Sequence, residues 1–122
     1  MAMTAPKFAF QRLEVYGVAK AVAQLTVEHR RRWADVPGEL AERLARATLS
    51  TLVAIAAGAA TTARAEQRRQ FQLARASANE AMSCIEMAQL HDVVPDELYA
   101  MLATQLARVD QMLTGMVRRR TG

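Results

Sequence analysis

Apolar side chains recur every three or four residues along four stretches of the chain, the spacing of one buried face of an α-helix. The stripes consist of Val15, Val18, Val22 and Leu25; Leu40, Leu44, Ala47, Thr51 and Ile55; Phe71, Ala74, Ala78, Ala81, Ile85 and Ala88; and Leu98, Leu102, Leu106, Val109, Leu113 and Met116. Alternating runs of β-branched residues, which indicate strands, are missing. The pattern predicts an all-α protein with four helices.

Proline, glycine and capping residues predict where these helices begin and end. The first helix is expected from about Phe10 to Arg31. Pro37 suits the first position of the second helix, which should end near residues 58–62, where a glycine and two threonines stand. The third helix should close around residues 91–94, and Pro95 should open the fourth, followed by two acids in the first turn.

Four helices joined by short connections are typical of an antiparallel, up-down-up-down four-helix bundle. We expect one domain over residues 1–122, with short flexible ends at about 1–8 and 119–122. Five methionines are interpreted as gap-filling core residues of a bundle with few aromatic side chains. They are Met82, Met87, Met101, Met112 and Met116.

Residues 47–60 consist almost wholly of small apolar side chains, so neighbouring backbones can approach this segment closely. Apolar residues make up 52% of the chain, more than one small core easily hides. We therefore expect a homo-oligomer with this segment near its crowded centre.

The single cysteine, Cys84, has no partner for an internal disulfide and lies among apolar helix positions, which predicts a buried, inert thiol in a reducing compartment. The N-terminus lacks the layout of a signal peptide. The longest uncharged run, residues 47–62, is shorter than a membrane span requires. A cytoplasmic protein without a membrane partner is expected.

Candidate catalytic and metal-binding residues are few. A di-metal bundle uses Glu-x-x-His on two helices, but Thr26 precedes His29 and Ala88 precedes His91 at that spacing. The five glycines are isolated, so no phosphate-binding loop is predicted. We expect neither enzymatic activity nor a metal or other cofactor; a hydrolase with a triad assembled through the fold ranks as a distant alternative.

Several short motifs resemble those of one known family. Residues 50–58 (Ser-Thr-Leu-Val-Ala-Ile-Ala-Ala-Gly) resemble its Ser-x-x-x-Asn-Ile-Ala-Glu-Gly, and Glu66 then falls, without a gap, on the Glu of its Glu-Phe pair. Residues 74–80 match Ala-x-Gly-Ser-x-Asn-Glu, residues 10–16 resemble the opening Phe-x-x-Leu-x-Val-Trp, and residues 112–113 fit a late Met-Leu. The family comprises four-helix-bundle proteins encoded within intervening sequences of bacterial 23S ribosomal RNA genes.

This resemblance implies a four-helix bundle, commonly a homopentameric ring, with no established enzymatic activity. It also implies kinship with the accessory protein of diversity-generating retroelements, which associates with a reverse transcriptase and with RNA. The chain departs from the motif where the family has Asn and Glu, since Ala54 and Ala57 stand there, and Leu52 replaces its proline. Polar interactions of those two family side chains are therefore absent.

Antiparallel connectivity would place eight cations at one end of the bundle against two carboxylates, a formal charge of +6. They are Lys7, Arg12, Arg64, Arg68, Arg69, Arg118, Arg119 and Arg120. The opposite end would carry −3. These arginines either bind nucleic acid or simply complement helix dipoles and maintain solubility, and no aromatic residue was found interleaved with them.

Two functional hypotheses follow. The first is a non-enzymatic oligomeric scaffold, a pentamer as the family resemblance implies, whose basic end binds RNA, DNA or a nucleic-acid enzyme. The alternative is a protein-binding adaptor without nucleic-acid contact, which recruits its partner through the acidic end or through Trp33.

Overall fold

The computed structural model describes residues 7–120, and these contain α-helices and no strand, as the sequence predicts. A 3-10 turn at Ala9–Arg12 precedes α1 (Glu14–Glu28), α2 (Arg30–Trp33), α3 (Leu40–Ala60), α4 (Arg64–Leu90) and α5 (Asp96–Arg119). The predicted flexible ends fall mainly on residues 1–6, 121 and 122, which lie outside the described residues.

The four long helices form an antiparallel bundle. Helices α1 and α4 each pack against both α3 and α5, and connections of three and five residues make α3, α4 and α5 successive neighbours. Every residue of the predicted stripes on α3, α4 and α5 is buried, and Val15, Val18 and Val22 of α1 join them in one core. The periodicity therefore identified the core-facing side of each long helix.

The prediction of one continuous first helix over residues 10–31 is wrong. The chain is extended at Leu13 and leaves helical geometry again at His29. The reason for the second break is a competing hydrogen bond: the indole Nε1 of Trp33 donates to the carbonyl oxygen of Thr26 at 2.9 Å. In an uninterrupted helix that carbonyl would accept from the amide of Arg30.

The second predicted helix starts later than Pro37 suggests. Gly38 and Glu39 have φ angles of 82° and 59°, in the left-handed region that an α-helix excludes. Helix α3 therefore begins at Leu40. Its predicted end is confirmed, because the last helical residue is Ala60.

Helices α3 and α4 approach closely where Gly58 faces Phe71. A Cβ atom on Gly58 would lie 2.6 Å from Cε1 and 2.9 Å from Cδ1 of the Phe71 ring. Because Phe71 is itself 1% exposed, its ring has little room to move away. Glycine is thus needed here for the close approach of two helices, and not for its backbone freedom.

The methionines contribute less to the core than predicted. Met116 is buried, and Met82 and Met112 pack partly against the core, but Met87 and Met101 are about half exposed. These two occupy positions outside the buried stripes of α4 and α5, so their helices turn them toward solvent. Across residues 7–120, the helices lack a segment both long and apolar enough to cross a membrane.

Candidate functional site

The end of the bundle that carries the predicted cations is assembled from three separate segments. Arg64, the first residue of α4, donates from Nη2 to the carbonyl oxygen of Arg119 at 3.2 Å. The start of α1, at Leu13 and Glu14, lines a cleft of about 390 Å³ together with the last two turns of α5. We call Lys7, Arg12, Arg64, Arg68, Arg69, Arg118, Arg119 and Arg120 the basic end.

Arg120 is held by the protein itself. Its Nε donates to Oε1 of Gln67 at 3.0 Å, its Nη1 donates to the carbonyl oxygen of Met116 at 2.8 Å, and its guanidinium lies over the Phe71 ring. Burial lowers the pKa of Arg120, and the nearby charges of Arg119 and Arg64 lower it further. Arg120 therefore fastens α5 to α4 in addition to carrying charge.

Arg69 is also engaged, in a two-pronged ion pair with Glu66 one turn earlier on α4. The Arg69 Nη2 and Nε atoms lie 2.7 and 3.0 Å from the two carboxylate oxygens of Glu66. These hydrogen bonds, with a third from Gln70 at 3.0 Å, lower the pKa of Glu66 from 4.5 to about 2. Much of the Arg69 charge is consequently compensated within the chain.

Three other arginines of the basic end have no partner for their donors among residues 7–120. Within residues 7–120, the side chains of Arg12, Arg68 and Arg118 form no hydrogen bond or ion pair; Arg12 and Arg118 are exposed and Arg68 is half-buried. Of the two carboxylates counted at this end, Glu66 pairs with Arg69, and Glu14 pairs at 3.0 Å with Arg108, near the middle of α5. The uncompensated donors therefore come from the 3-10 turn, α4 and α5 together.

Aromatic residues do lie within the basic end, which corrects the expectation that none is interleaved with it. Phe8 is 69% exposed and its ring packs 5.8 Å from that of Phe10, which in turn packs 4.7 Å from Tyr16. The signal was present in the sequence, since Phe8 and Phe10 stand between Lys7 and Arg12. The prediction missed it because Phe8 was assigned to the flexible end at about residues 1–8 and Phe10 to the start of the first helix.

At the opposite end of the bundle, a hydrogen bond joins α2 to the connection between α4 and α5. Arg32 of α2 donates from Nη1 to the carbonyl oxygen of Val93 at 3.3 Å, which brings α2 to the connection between α4 and α5. Trp33, the proposed surface contact of an adaptor, is only 3% exposed, and its indole N–H already donates to the carbonyl oxygen of Thr26. The expectation that Trp33 recruits a partner directly is wrong.

Asn79, the asparagine of the motif at residues 74–80, forms a hydrogen bond between two helices. Asn79 donates from Nδ2 to Oδ1 of Asp110 at 2.8 Å, and Arg75 reaches the same oxygen at 2.8 Å. Burial acts to raise the pKa of Asp110, but the hydrogen bonds from Arg75 and Asn79 outweigh it and the net shift is downward. This cluster connects α4 to α5 halfway along the bundle.

Cys84 is buried, as predicted, and burial raises the pKa of its thiol, with the charge of Glu80 acting in the same direction. A raised pKa disfavours the thiolate, the nucleophilic form. Within the described part of the chain, no three His, Cys, Asp or Glu side chains are grouped as metal ligands would be.

Comparison with known proteins gives one finding. Residues 11–115 match the family model described as 23S rRNA-intervening sequence protein. No curated protein and no solved structure matches the chain.

Proposed function

The chain belongs to the 23S rRNA-intervening sequence protein family, and from its charge distribution we propose that it is a non-enzymatic, homo-oligomeric scaffold that binds nucleic acid through the basic end. The observation that carries the proposal is that uncompensated arginines lie on three segments that meet at this end of the bundle. Arg12, Arg68 and Arg118 retain unused donors, while both nearby carboxylates already have partners in the chain.

Such an arrangement suits a polyphosphate better than a single small anion. The cations are spread over the start of the fold, α4 and α5, and most of them are exposed. Spread charge attracts a nucleic-acid backbone at long range and neutralises several phosphates at once, which releases counter-ions. Binding should therefore be largely independent of base sequence and should weaken steeply with salt.

Self-association is supported by an apolar stripe on the outer side of α3. Exposed or half-exposed apolar side chains recur there with helical spacing, at Ala45, Leu49, Val53, Ala56 and Ala60. Leu49 and Val53 are 61% and 57% exposed, and Leu49 borders an apolar groove of about 410 Å³ between α1 and α3. A stripe of exposed apolar side chains beside an apolar groove is more typical of an interface than of a solvated face.

The stoichiometry that we propose is a cyclic pentamer, in line with the resemblance of the motifs. If the helices lie roughly parallel to the ring axis, the five basic ends share one face. Five copies of a +6 end then place a formal charge near +30 there. The proposed location is the cytoplasm, where nucleic acid is accessible.

A protein-binding adaptor is the second candidate, and one observation favours it. Leu90, at the end of α4 and close in sequence to Asp92, is 77% exposed, and Met87 and Met101 are 47% and 52% exposed. Exposed methionine and leucine side chains are common on protein-binding surfaces.

Direct binding measurements separate the two candidates. Fluorescence anisotropy of labelled RNA and DNA, titrated with the protein at several salt concentrations, should show saturable binding at low salt. The logarithm of the affinity should fall linearly with the logarithm of the salt concentration, with a slope of about 0.9 per neutralised phosphate on duplex DNA and about 0.7 on single strands. Failure to bind any nucleic acid at low ionic strength would favour the adaptor.

A further inference from the structure

The Phe8 ring is exposed, yet the backbone that carries it is well fixed. The amide nitrogen of Phe8 donates to Oε1 of Gln11 at 2.7 Å, and its carbonyl oxygen accepts from the amide of Gln11 at 3.1 Å. Both polar groups of the Phe8 backbone are therefore tied to the 3-10 turn that follows. The point at which the ring is attached to the chain is therefore held by local hydrogen bonds.

The ring is also supported on one side by other aromatic side chains. It lies 5.8 Å from Phe10, tilted by 39°, and Phe10 packs edge-on against Tyr16 of α1 at 4.7 Å. Phe10 and Tyr16 are half-buried, whereas 69% of Phe8 remains exposed. The three rings form a ladder from the bundle surface outward, and its outermost ring is open to solvent.

Positively charged residues flank this ladder along the chain. Lys7 precedes Phe8 in the chain, and Arg12 ends the same 3-10 turn; both are exposed. The extended residue Leu13 then connects the turn to α1, where Leu13 and Glu14 line a cleft shared with Arg119 and Arg120. An accessible aromatic face with cations beside it is the combination with which proteins bind single strands, since bases stack on the ring while phosphates meet the cations.

We propose that the basic end binds single-stranded nucleic acid and that Phe8 is the platform on which an unpaired base stacks. The inference rests on the proposed function and narrows its ligand class. In a duplex the flat faces of the bases are covered by their neighbours, so Phe8 contributes only to the binding of unpaired nucleotides.

The test compares one unstructured single-stranded RNA with a duplex of the same sequence and length, by anisotropy at a single low salt concentration. Phe8→Ala and Phe8→Leu should each weaken single-strand binding by roughly 5- to 150-fold, the range for loss of one base–aromatic stack. Duplex binding should change less than about twofold, since phosphate contacts alone carry it. Phe8→Trp, which retains a stacking face, should bind the single strand at least as well as the parent protein.

Phe8→Leu is the informative control, because leucine keeps the apolar character of the site and removes the aromatic face. If only Phe8→Ala weakened single-strand binding, Phe8 would serve as an apolar contact and the stacking proposal would be wrong. Equal losses on single strand and duplex would also overturn it, as would unchanged binding by both variants. In these three cases the basic end still binds nucleic acid, and the proposed function survives.

Absence of binding by the parent protein to either RNA form at low salt would instead remove the proposed function and the stacking proposal together.

A second readout uses fluorescence. The parent protein has one tryptophan, Trp33, which is buried at the opposite end. Added single strand should quench the new emission of Phe8→Trp and leave that of Trp33 in the parent protein unchanged; unquenched emission at saturating RNA would contradict stacking.

Discussion

The guanidinium carbon of Arg120 lies 4.9 Å from the centre of the Phe71 ring, so the residue that follows α5 closes over a core side chain of α4. Two hydrogen bonds to Gln67 and Met116 hold the guanidinium in this place. Arg118 and Arg120 therefore differ: the side chain of Arg118 is exposed to solvent, whereas the guanidinium of Arg120 is bound within the fold.

Arg120→Ala should lower the free energy of unfolding, because it removes a cation–π contact worth about 0.5–1 kcal/mol together with the hydrogen bonds to Gln67 and Met116. Arg118→Ala is the matched control, two residues earlier and exposed, and should change stability by less than about 0.5 kcal/mol. Urea denaturation followed by circular dichroism measures both. Equal effects of the two substitutions would mean that the Arg120–Phe71 contact contributes nothing to stability.

The contact between Gly58 and Phe71 gives the second prediction. Gly58→Ala forces a methyl group against a ring that is buried beneath Arg120, and overpacking of this kind costs roughly 1–3 kcal/mol. Gly17→Ala is the control in α1: among residues 7–120, nothing beyond its own stretch of helix lies within 4 Å of the added Cβ, so helix propensity should stabilise the protein by roughly 0.5–1 kcal/mol. Thermal melting should show shifts in opposite directions. A raised melting temperature for Gly58→Ala would show that α3 and α4 separate easily.

The sequence predicted the long helices and their buried faces well, because apolar residues spaced three and four apart fall on one face of an α-helix. It could not predict the breaks, which depend on particular side chains. The interruption at His29 requires knowing that the Trp33 indole takes the carbonyl of Thr26, and the late start of α3 requires the left-handed geometry of Glu39. Neither feature leaves a periodic signal.

The basic end was predicted as a sum of formal charges, and a sum does not distinguish free cations from paired ones. Connectivity alone was enough to bring the start of α4 and the end of α5 together. The pairing of Arg69 with Glu66 and the packing of Arg120 on Phe71 depend on rotamers that a helical repeat does not specify. Phe8 was missed because it fell within the predicted flexible end, where no fixed position was expected for its side chain.

Glu66→Gln provides a gain-of-function test of the charge argument. It removes the carboxylate whose pKa lies at about 2 and which remains ionised through the neutral range, so Arg69 is released for a phosphate. Affinity for nucleic acid should rise, and the salt slope should steepen by about 0.7 on single strands if one more phosphate is neutralised. Glu42→Gln, on the exposed side of α3 far from this end, is the control for net charge alone. Identical effects of the two variants would show that the Glu66–Arg69 pair does not limit binding.

Leu49→Glu tests the apolar stripe on α3. A carboxylate at a residue that is 61% exposed should leave the monomer folded, but it places unpaired charge in the proposed interface and should shift the protein to smaller species. Leu90→Glu is the control: Leu90 is 77% exposed and lies at the end of α4, away from the α3 stripe, so this variant should leave the assembly intact. Sedimentation equilibrium of both variants measures the mass. A parent protein of monomer mass at micromolar concentration would refute self-association, and dissociation by Leu90→Glu alone would place the interface elsewhere.

The central claim is that one end of the bundle binds nucleic acid, and two double variants of equal charge test it most directly. Arg118→Ala with Arg119→Ala removes two exposed cations from the basic end, and Arg30→Ala with Arg31→Ala removes two from the opposite end. The measurement is the salt slope of RNA binding for both. We predict that the first pair lowers the affinity and reduces the slope by about 1.4 on a single strand, as expected for two lost phosphate contacts, while the second pair leaves the slope unchanged. Equal losses for the two pairs would contradict the claim, because binding would then depend on the net charge of the protein and not on its basic end.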